Sequence, residues 1–308
     1  MQHTSPLMED ASSVVLDLQS QFTEKGRTTA WSQILRFLRY SALGTVCLFI
    51  LIGLVIVGIF AEQLMPYDPL EPDFALMKHA PSADHLLGTD HLGRDTLSRL
   101  ILGTQATLLV AFSSVFLGVV LGSIWGIVSG YVGGTFDLIS QRLVEVLMAF
   151  PFLILAMLLM AALRPGVGTV IIAIAAARIA PTSRTLRSIV LSIKEHDYVL
   201  AAQAIGASQR RILWYHVTPQ TIALFLVILS MNVGGAVFAE SALSFLGVGV
   251  PPPAPSWGNM LGGVLVQTFR PSWWLVIFPG AAISVTILAL NLLGDTLRDF
   301  FDPTLRHR

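Results

Sequence analysis

Between Leu100 and Phe136 the chain carries no Asp, Glu, Lys or Arg. A soluble domain has little room for so long an uncharged stretch. A bilayer does, because its hydrocarbon core, about 30 Å thick, is crossed by roughly 20 residues of helix at 1.5 Å each. Four further charge-free runs are long enough to span: Tyr40 to Ala61, Val146 to Leu163, Thr221 to Ala239 and Pro271 to Gly294. Asn232 and Asn291 are single polar residues in the last two, and facing a neighbouring helix satisfies each. Composition points the same way. Of 308 residues, 54% are hydrophobic and 12% charged, the latter about half the roughly 25% of an ordinary soluble domain.

A sixth run, Pro165 to Ala177, gives only about 20 Å of helix and must borrow Arg178 to Ser183 to cross, with Arg178 snorkelling to the interface. Positive charge decides whether it counts, since Lys and Arg gather on the cytoplasmic side. With six spans and the N-terminus inside, fourteen Lys and Arg lie inside, while Lys78, Arg94, Arg99, Arg164 and Arg270 lie outside. Without the weak span, the cationic segment Arg184 to Arg211 faces outward, against the rule. The expectation is an all-α polytopic protein of six transmembrane helices in the plasma (inner) membrane, both termini cytoplasmic.

Several chemistries are excluded. Nineteen basic residues balance nineteen acidic ones, which leaves no positive field to hold nucleic acid. The single cysteine, Cys47, rules out an intrachain disulfide. No G-x-x-x-x-G-K-[ST] phosphate loop, H-E-x-x-H zinc helix or G-x-S-x-G nucleophile turn occurs. No catalytic residue, cofactor or metal ion is expected. Glu9, Asp10, Asp17 and Glu24 precede any Lys or Arg, so the start of the chain is not the cationic end of a signal peptide and reads as a cytoplasmic tail.

Between the fourth and fifth spans lies an inside loop, 188–219, far longer than neighbouring helices require. Tyr198, Ala201, Ala202, Ile205, Ile212 and Leu213 recur at helical spacing while Arg210 and Arg211 stay polar, which predicts two short amphipathic helices at the membrane surface. Ala201, Ala202, Ala204, Gly206 and Ala207 are small, so another protein can approach the backbone. An elbow explains Gly206, which costs about 1 kcal/mol relative to Ala inside a helix.

The pattern Ala201-Ala202, three residues, Gly206, nine residues, His216-Val217-Thr218-Pro219 resembles the EAA loop of ABC importer permeases. Leu200 stands where that family has Glu, and His216 and Thr218 replace hydrophobic residues. Leu87-Gly88-Thr89-Asp90, Gly93-Arg94-Asp95 and Ser98-Arg99 resemble a signature of the dipeptide, oligopeptide and nickel branch. So do Ser244 to Gly247 with Pro251 to Met260, and Asn291 to Asp295 with Arg298 and Asp302-Pro303. The nearest likeness is to the C-type membrane subunit.

That resemblance implies the type I importer permease fold, with a cytoplasmic tail at 1–39, a first helix at 40–61, an extracytoplasmic loop at 62–102, a transmembrane domain at 103–294 and a cytoplasmic tail at 295–308. It implies a homologous permease partner, two ATPase subunits and an external binding protein delivering peptides, with nickel or another small solute as the alternative cargo. It makes Tyr198, Leu200, Ala201, Ala202, Ile205, Gly206, Ala207, Arg210 and Pro219 the ATPase-coupling residues. Asn232 and Glu240 are candidates for the gate or pore, and burial in headgroups is the competing reading of Glu240. His85 and His91 with Asp84, Asp90 and Asp95 permit a metal reading, but a hydrogen-bonded loop is preferred, with an Asp95–Arg99 ion pair at i, i+4. An ion-coupled secondary transporter, the rival class, needs carboxylates or His in its spans, and their central parts have none.

Overall fold

A computed structural model of the chain describes residues 41–267 and 272–301. The N-terminal tail 1–39, Arg270 and the Asp302-Pro303 pair lie outside the described residues. Helix α1, Ala42–Ile59, begins where the Ser41 hydroxyl accepts a hydrogen bond from the Gly44 backbone N–H at 3.0 Å, a serine satisfying one of the first-turn donors. A short turn, α2 (Ala61–Leu64), leads into an irregular segment with one 3-10 turn at Phe74–Leu76. Then come α3 (Thr96–Val132), α4 (Gly134–Met148), α5 (Phe152–Ala162) and α6 (Val167–Ile193). The short helices α7 (Asp197–Ala204) and α8 (Gln209–Ile212) run through a π turn, Leu213–Val217, into α9 (Thr218–Phe245). Helices α10 (Trp257–Gln267) and α11 (Trp273–Phe301) follow. No strand occurs among the described residues.

The packing of α3 on α6 sets the topology. Gly118, Gly122, Gly126 and Gly130 recur every four residues and so share one face of α3. They meet the backbones of Ala175, Ile179, Ser183 and Arg187 in that order, and a Cβ added at any of them would come within 3.0 Å of the opposing carbonyl oxygen. Bare glycine lets the two backbones touch. Because residue numbers rise together along both helices, α3 and α6 run parallel. The chain between them must therefore cross back. Helices α4 and α5 are the only described structure there, and they are bent by 91° at their break. Five unbroken helices are long and apolar enough to span, and the bent pair, counted as one broken span, brings the number to six.

The two third-and-fourth-span expectations are thus exchanged in quality. Val146 to Leu163 straddles the break, since α4 stops at Met148 and α5 starts after Pro151. Proline lacks a donor and disfavours helical backbone at the residue before it. Conversely, the short sixth run becomes a continuous 27-residue helix. Arg178 lies well inside it and does not reach an end.

The core is aliphatic and interlocks α3, α6, α9 and α11 through residues such as Val115, Val119, Ile174, Val237, Leu243 and Leu290. The opposite face of α3 leaves Leu109, Phe112, Phe116 and Ile124 exposed, as lipid contact requires. A second cluster joins Ile127, Tyr131, Leu186 and Val190 to Val199, Ala202, Ile212 and Val217. It fastens the elbow to the ends of α3 and α6.

The segment before α3 is held by its charges. Asp90 accepts from the backbone N–H of Leu92 and Arg94 at 2.8 and 3.0 Å and from the Arg94 Nε at 2.7 Å. The expected Asp95–Arg99 pair is not formed. Asp95 caps α3, accepting from Ser98 N and Oγ at 2.7 Å each, so its carboxylate points back at the first turn. Its other oxygen meets His85 Nδ1 at 3.0 Å, while Arg99 turns to the Pro69 carbonyl at 2.9 Å and to Asp90 at 3.5 Å. No cluster of three metal-ligating side chains occurs among the described residues. Burial holds the His91 imidazole below its ordinary 6.5; Asp90 opposes this, and Arg94, Arg99 and Lys78 add to it. Trp257 and Trp274 are buried, their indole N–H groups donating to the carbonyls of Leu100 and Thr89. Neighbouring Trp273 is exposed. Asp295, Arg298 and Asp299 form no ion pair with one another.

Candidate functional site

The elbow is closed by a glycine. Helix α7 ends at Ala204, and Gly206 takes φ +79°, a backbone region that L-residues with a Cβ avoid. Gly206 N donates to the Gln203 carbonyl and Ala207 N to the Ala202 carbonyl, both at 3.0 Å. These two bonds are the Schellman pair that satisfies the last carbonyls of a helix and turns the chain. A Cβ on Gly206 would touch nothing within 4 Å. Its requirement for glycine is conformational, and the space around it is open.

Three polar ties fix the elbow's base. Tyr131 at the end of α3 donates its hydroxyl to Gln209 Oε1 at 2.6 Å. Lys194, just past α6, donates to the Tyr131 carbonyl at 2.8 Å and lies 5.6 Å from the Tyr131 ring centre. Arg187 of α6 grips Asp137 of α4 with Nε and Nη2 at 2.7 and 2.6 Å, and the Ser129 hydroxyl donates to the same carboxylate at 2.5 Å. A paired fork of this kind is geometrically demanding. It ties three helices at one level.

The sequence reading had the two short helices and the inward face of α8 right, with Ile212 buried and Arg210 and Arg211 exposed, and the rotation of α7 wrong. Val199, Ala202 and Ile212 are the buried side chains, while Tyr198 and Ile205, assigned to the apolar face, point away, Ile205 being 86% exposed. The inward face is set by what the ends of α3 and α6 offer to pack against, and Val199 was the signal overlooked. Ala202 therefore supports the elbow from within and does not belong to its outer surface. Leu200, Ala201, Gly206 and Arg210 are exposed and Ala207 is half-buried. Trp214 and Tyr215 in the π turn, not singled out from sequence, are 57% and 77% exposed. Pro219 stands at the second residue of α9, directly after the π turn Leu213–Val217. The outward surface thus sets apolar Leu200, Ala201 and Ile205 beside the polar Gln203, Arg210 and Arg211, with Asp197 exposed at the start of α7.

The two pore candidates are placed differently. Glu240 is fully buried within α9, which runs on to Phe245. This is incompatible with a position in headgroups. The hydroxyl of Ser244 donates to Glu240 Oε1 at 2.7 Å, and Ser241, Ser256 and Thr107 also hydrogen-bond its carboxyl. It joins α9 to α3 and to the start of α10. Asn232 is half-buried, its Nδ2 donating to the Ile228 carbonyl at 2.7 Å, and its Oδ1 accepts from Arg178 Nη1. Arg178 is the residue that sequence reasoning misplaced.

Two sequence profiles match the chain. One, of the binding-protein-dependent transport system inner membrane component, covers residues 101–307; the other, the N-terminal transmembrane domain of oligopeptide transport permease C, covers residues 29–81. The chain belongs to this family of ABC importer permeases. Among relatives, this permease is 38% identical over 271 residues to the dipeptide transport system permease protein DppC of Bacillus subtilis (strain 168), covering 88% of the chain and 85% of the relative. The oligopeptide transport system permease protein OppC of the same organism is 36% identical, with 92% of each chain covered. The glutathione transport system permease protein GsiD of Escherichia coli O1:K1 / APEC is 38% identical, covering 90% of this chain and 92% of the relative. A solved inward-facing structure of the MetNI methionine ABC transporter superposes with a TM-score of 0.55 at 17% identity, over 67% of this permease and 97% of that chain. The shared fold is that of a type I importer permease. The permease is a multi-pass inner membrane protein, and the family, the all-helical fold and five to six candidate spans agree with the sequence expectation.

Proposed function

We propose that this permease carries short peptides, delivered by an external binding protein, along a path formed with a homologous membrane subunit and driven by two separate ATPase chains. The relatives named for dipeptide, oligopeptide and glutathione transport favour a cargo with a peptide backbone. The elbow is the ATPase-coupling element, with both termini and residues 188–219 cytoplasmic and residues 62–102 outside.

The observation that carries this reading is the outward surface of the elbow: Leu200, Ala201 and Ile205 exposed beside a glycine turn that is itself tied to α3 and α6. A surface held this firmly offers a partner something to push. Leu200 in place of the family's Glu means that contact with the ATPase is apolar at that point. Asn232 and Glu240 are assigned to the transport path, Glu240 as the bracket of its outer end.

Uptake of labelled di- and oligopeptides and of nickel, in cells lacking the gene, tests the cargo; peptide uptake is lost and nickel uptake is unchanged. Co-purification tests the motor, with two ATPase chains and a second permease accompanying this one. Accumulation of solute against a gradient by this chain alone in liposomes refutes the assignment.

A further inference from the structure

Arg178 sits eleven residues into α6, about 16 Å along its axis and so inside a core about 30 Å thick. A guanidinium stays charged, and a charge at that depth is costly unless something uses it. The surroundings are built around it. Its Nη1 donates to Asn232 Oδ1, and that amide is oriented by the bond from Asn232 Nδ2 to the Ile228 carbonyl. The Phe152 ring lies 4.9 Å from its central carbon, within cation–π range. Gly235 supplies the space, since a Cβ there would come to 2.7 Å from Nη2.

What is missing is an anion. No acidic side chain among the described residues pairs with Arg178, and its Nε is buried without a hydrogen-bond partner. Neutral Asn232 and the Phe152 face attract the cation and leave its charge uncompensated. We propose that Arg178 is the anion-recognition residue of the transport path and receives the free carboxylate of the cargo as it passes through the membrane. This rests on the peptide reading above and deepens it. Dipeptides, oligopeptides and glutathione all present a carboxylate. Arg matches a carboxylate with a planar fork, and Asn232 and Gly235 keep that fork in place.

The test compares uptake of a tripeptide with that of its C-terminal amide by the assembled transporter in proteoliposomes. Wild type is set beside Arg178→Gln and Arg178→Lys. The same binding protein serves all three, so its own preference cancels in the ratio. The expected result is that R178Q lowers the acid-to-amide ratio by roughly 10- to 100-fold, the usual weight of a charge-assisted hydrogen bond, and that R178K restores most of it. A ratio unchanged by R178Q, whether both rates fall together or neither falls, overturns the proposal and leaves Arg178 a structural residue. Should wild type carry neither peptide, the cargo reading fails and the carboxylate site falls with it.

A second measurement reads position directly. In a Cys47→Ser background, Arg178→Cys is expected to react with a membrane-impermeant sulfonated thiol reagent in at least one of the ATP-free and ATP-bound states. Absence of reaction in both places residue 178 away from water and overturns the proposal.

Discussion

Substitution of Gly122 by valine tests the α3–α6 interface most directly. A Cβ at Gly122 would stand 2.7 Å from the Ile179 carbonyl oxygen and 2.8 Å from Thr182 Cβ, where ordinary contact begins at 3.4 Å. The shortfall against the carbonyl is 0.7 Å, and the obstacle is backbone, which cannot rotate away. The two helices must separate along a ridge of four glycines, giving up close contacts at Gly118 and Gly126 as well. Overpacking of this kind costs about 1–3 kcal/mol, and valine, with two methyl groups beyond the Cβ, belongs at the upper end. A loss of about 3 kcal/mol shifts the midpoint of a domain this size by roughly 6–12 °C. Gly280→Val is the control, because a Cβ there meets nothing within 4 Å. The assay is thermal unfolding in detergent followed by size-exclusion fluorescence. Equal midpoints for Gly122→Val and Gly280→Val refute the argument that backbone contact holds these helices together.

Gly206→Ala, forced to φ +79°, is expected to destabilise the elbow by about 1 kcal/mol, with Gly206→Asn milder; transport falls in that order while the amount of protein in the membrane is unchanged. For Asp137 and Arg187, a double-mutant cycle with Asp137→Asn and Arg187→Gln is expected to give a coupling of about 1–3 kcal/mol in the same unfolding assay, and additivity would show that the fork contributes nothing. Because the folded protein holds His91 below its ordinary 6.5, the unfolded state binds more protons as pH drops. Stability of the segment before α3 is therefore full above about pH 6.5 and lost as pH falls from there through the lower folded value. Limited proteolysis of residues 62–95 between pH 7.5 and 5 should show it, with the acid sensitivity reduced in His91→Gln.

Much of the fold was legible because membrane spans are written in the absence of charge. Leu100 to Phe136 needed no other evidence, and the balance of Lys and Arg rescued the weakest span. The same criterion is blind to breaks. Pro151 interrupts an apolar run without altering its hydropathy, so Val146 to Leu163 looked sound. Arg178 was misjudged for a related reason: snorkelling is the default for an isolated charge near a short apolar run, and only Asn232, 54 residues away, shows why it stays inside. In the candidate site, Gly206 announced its turn through its cost in a helix. The rotation of α7 was not readable, because Tyr198 and Val199 are both apolar and only the neighbouring helix ends decide which is covered. Asp95 could pair forward with Arg99 or back with its own helix start, and local periodicity does not rank the two.

The elbow's second arm has no joint between itself and the far side of the membrane. From Gln209 the helical path continues through the π turn and on to Phe245, 37 residues in all, and Glu240 stands near its distal end. At 1.5 Å per residue that is a strut of about 55 Å. On the coupling role proposed for the elbow, a shove delivered at Gln209 is a movement of Glu240 too, less whatever the widened turn at Leu213–Val217 absorbs as compliance, so the two ends belong to one lever.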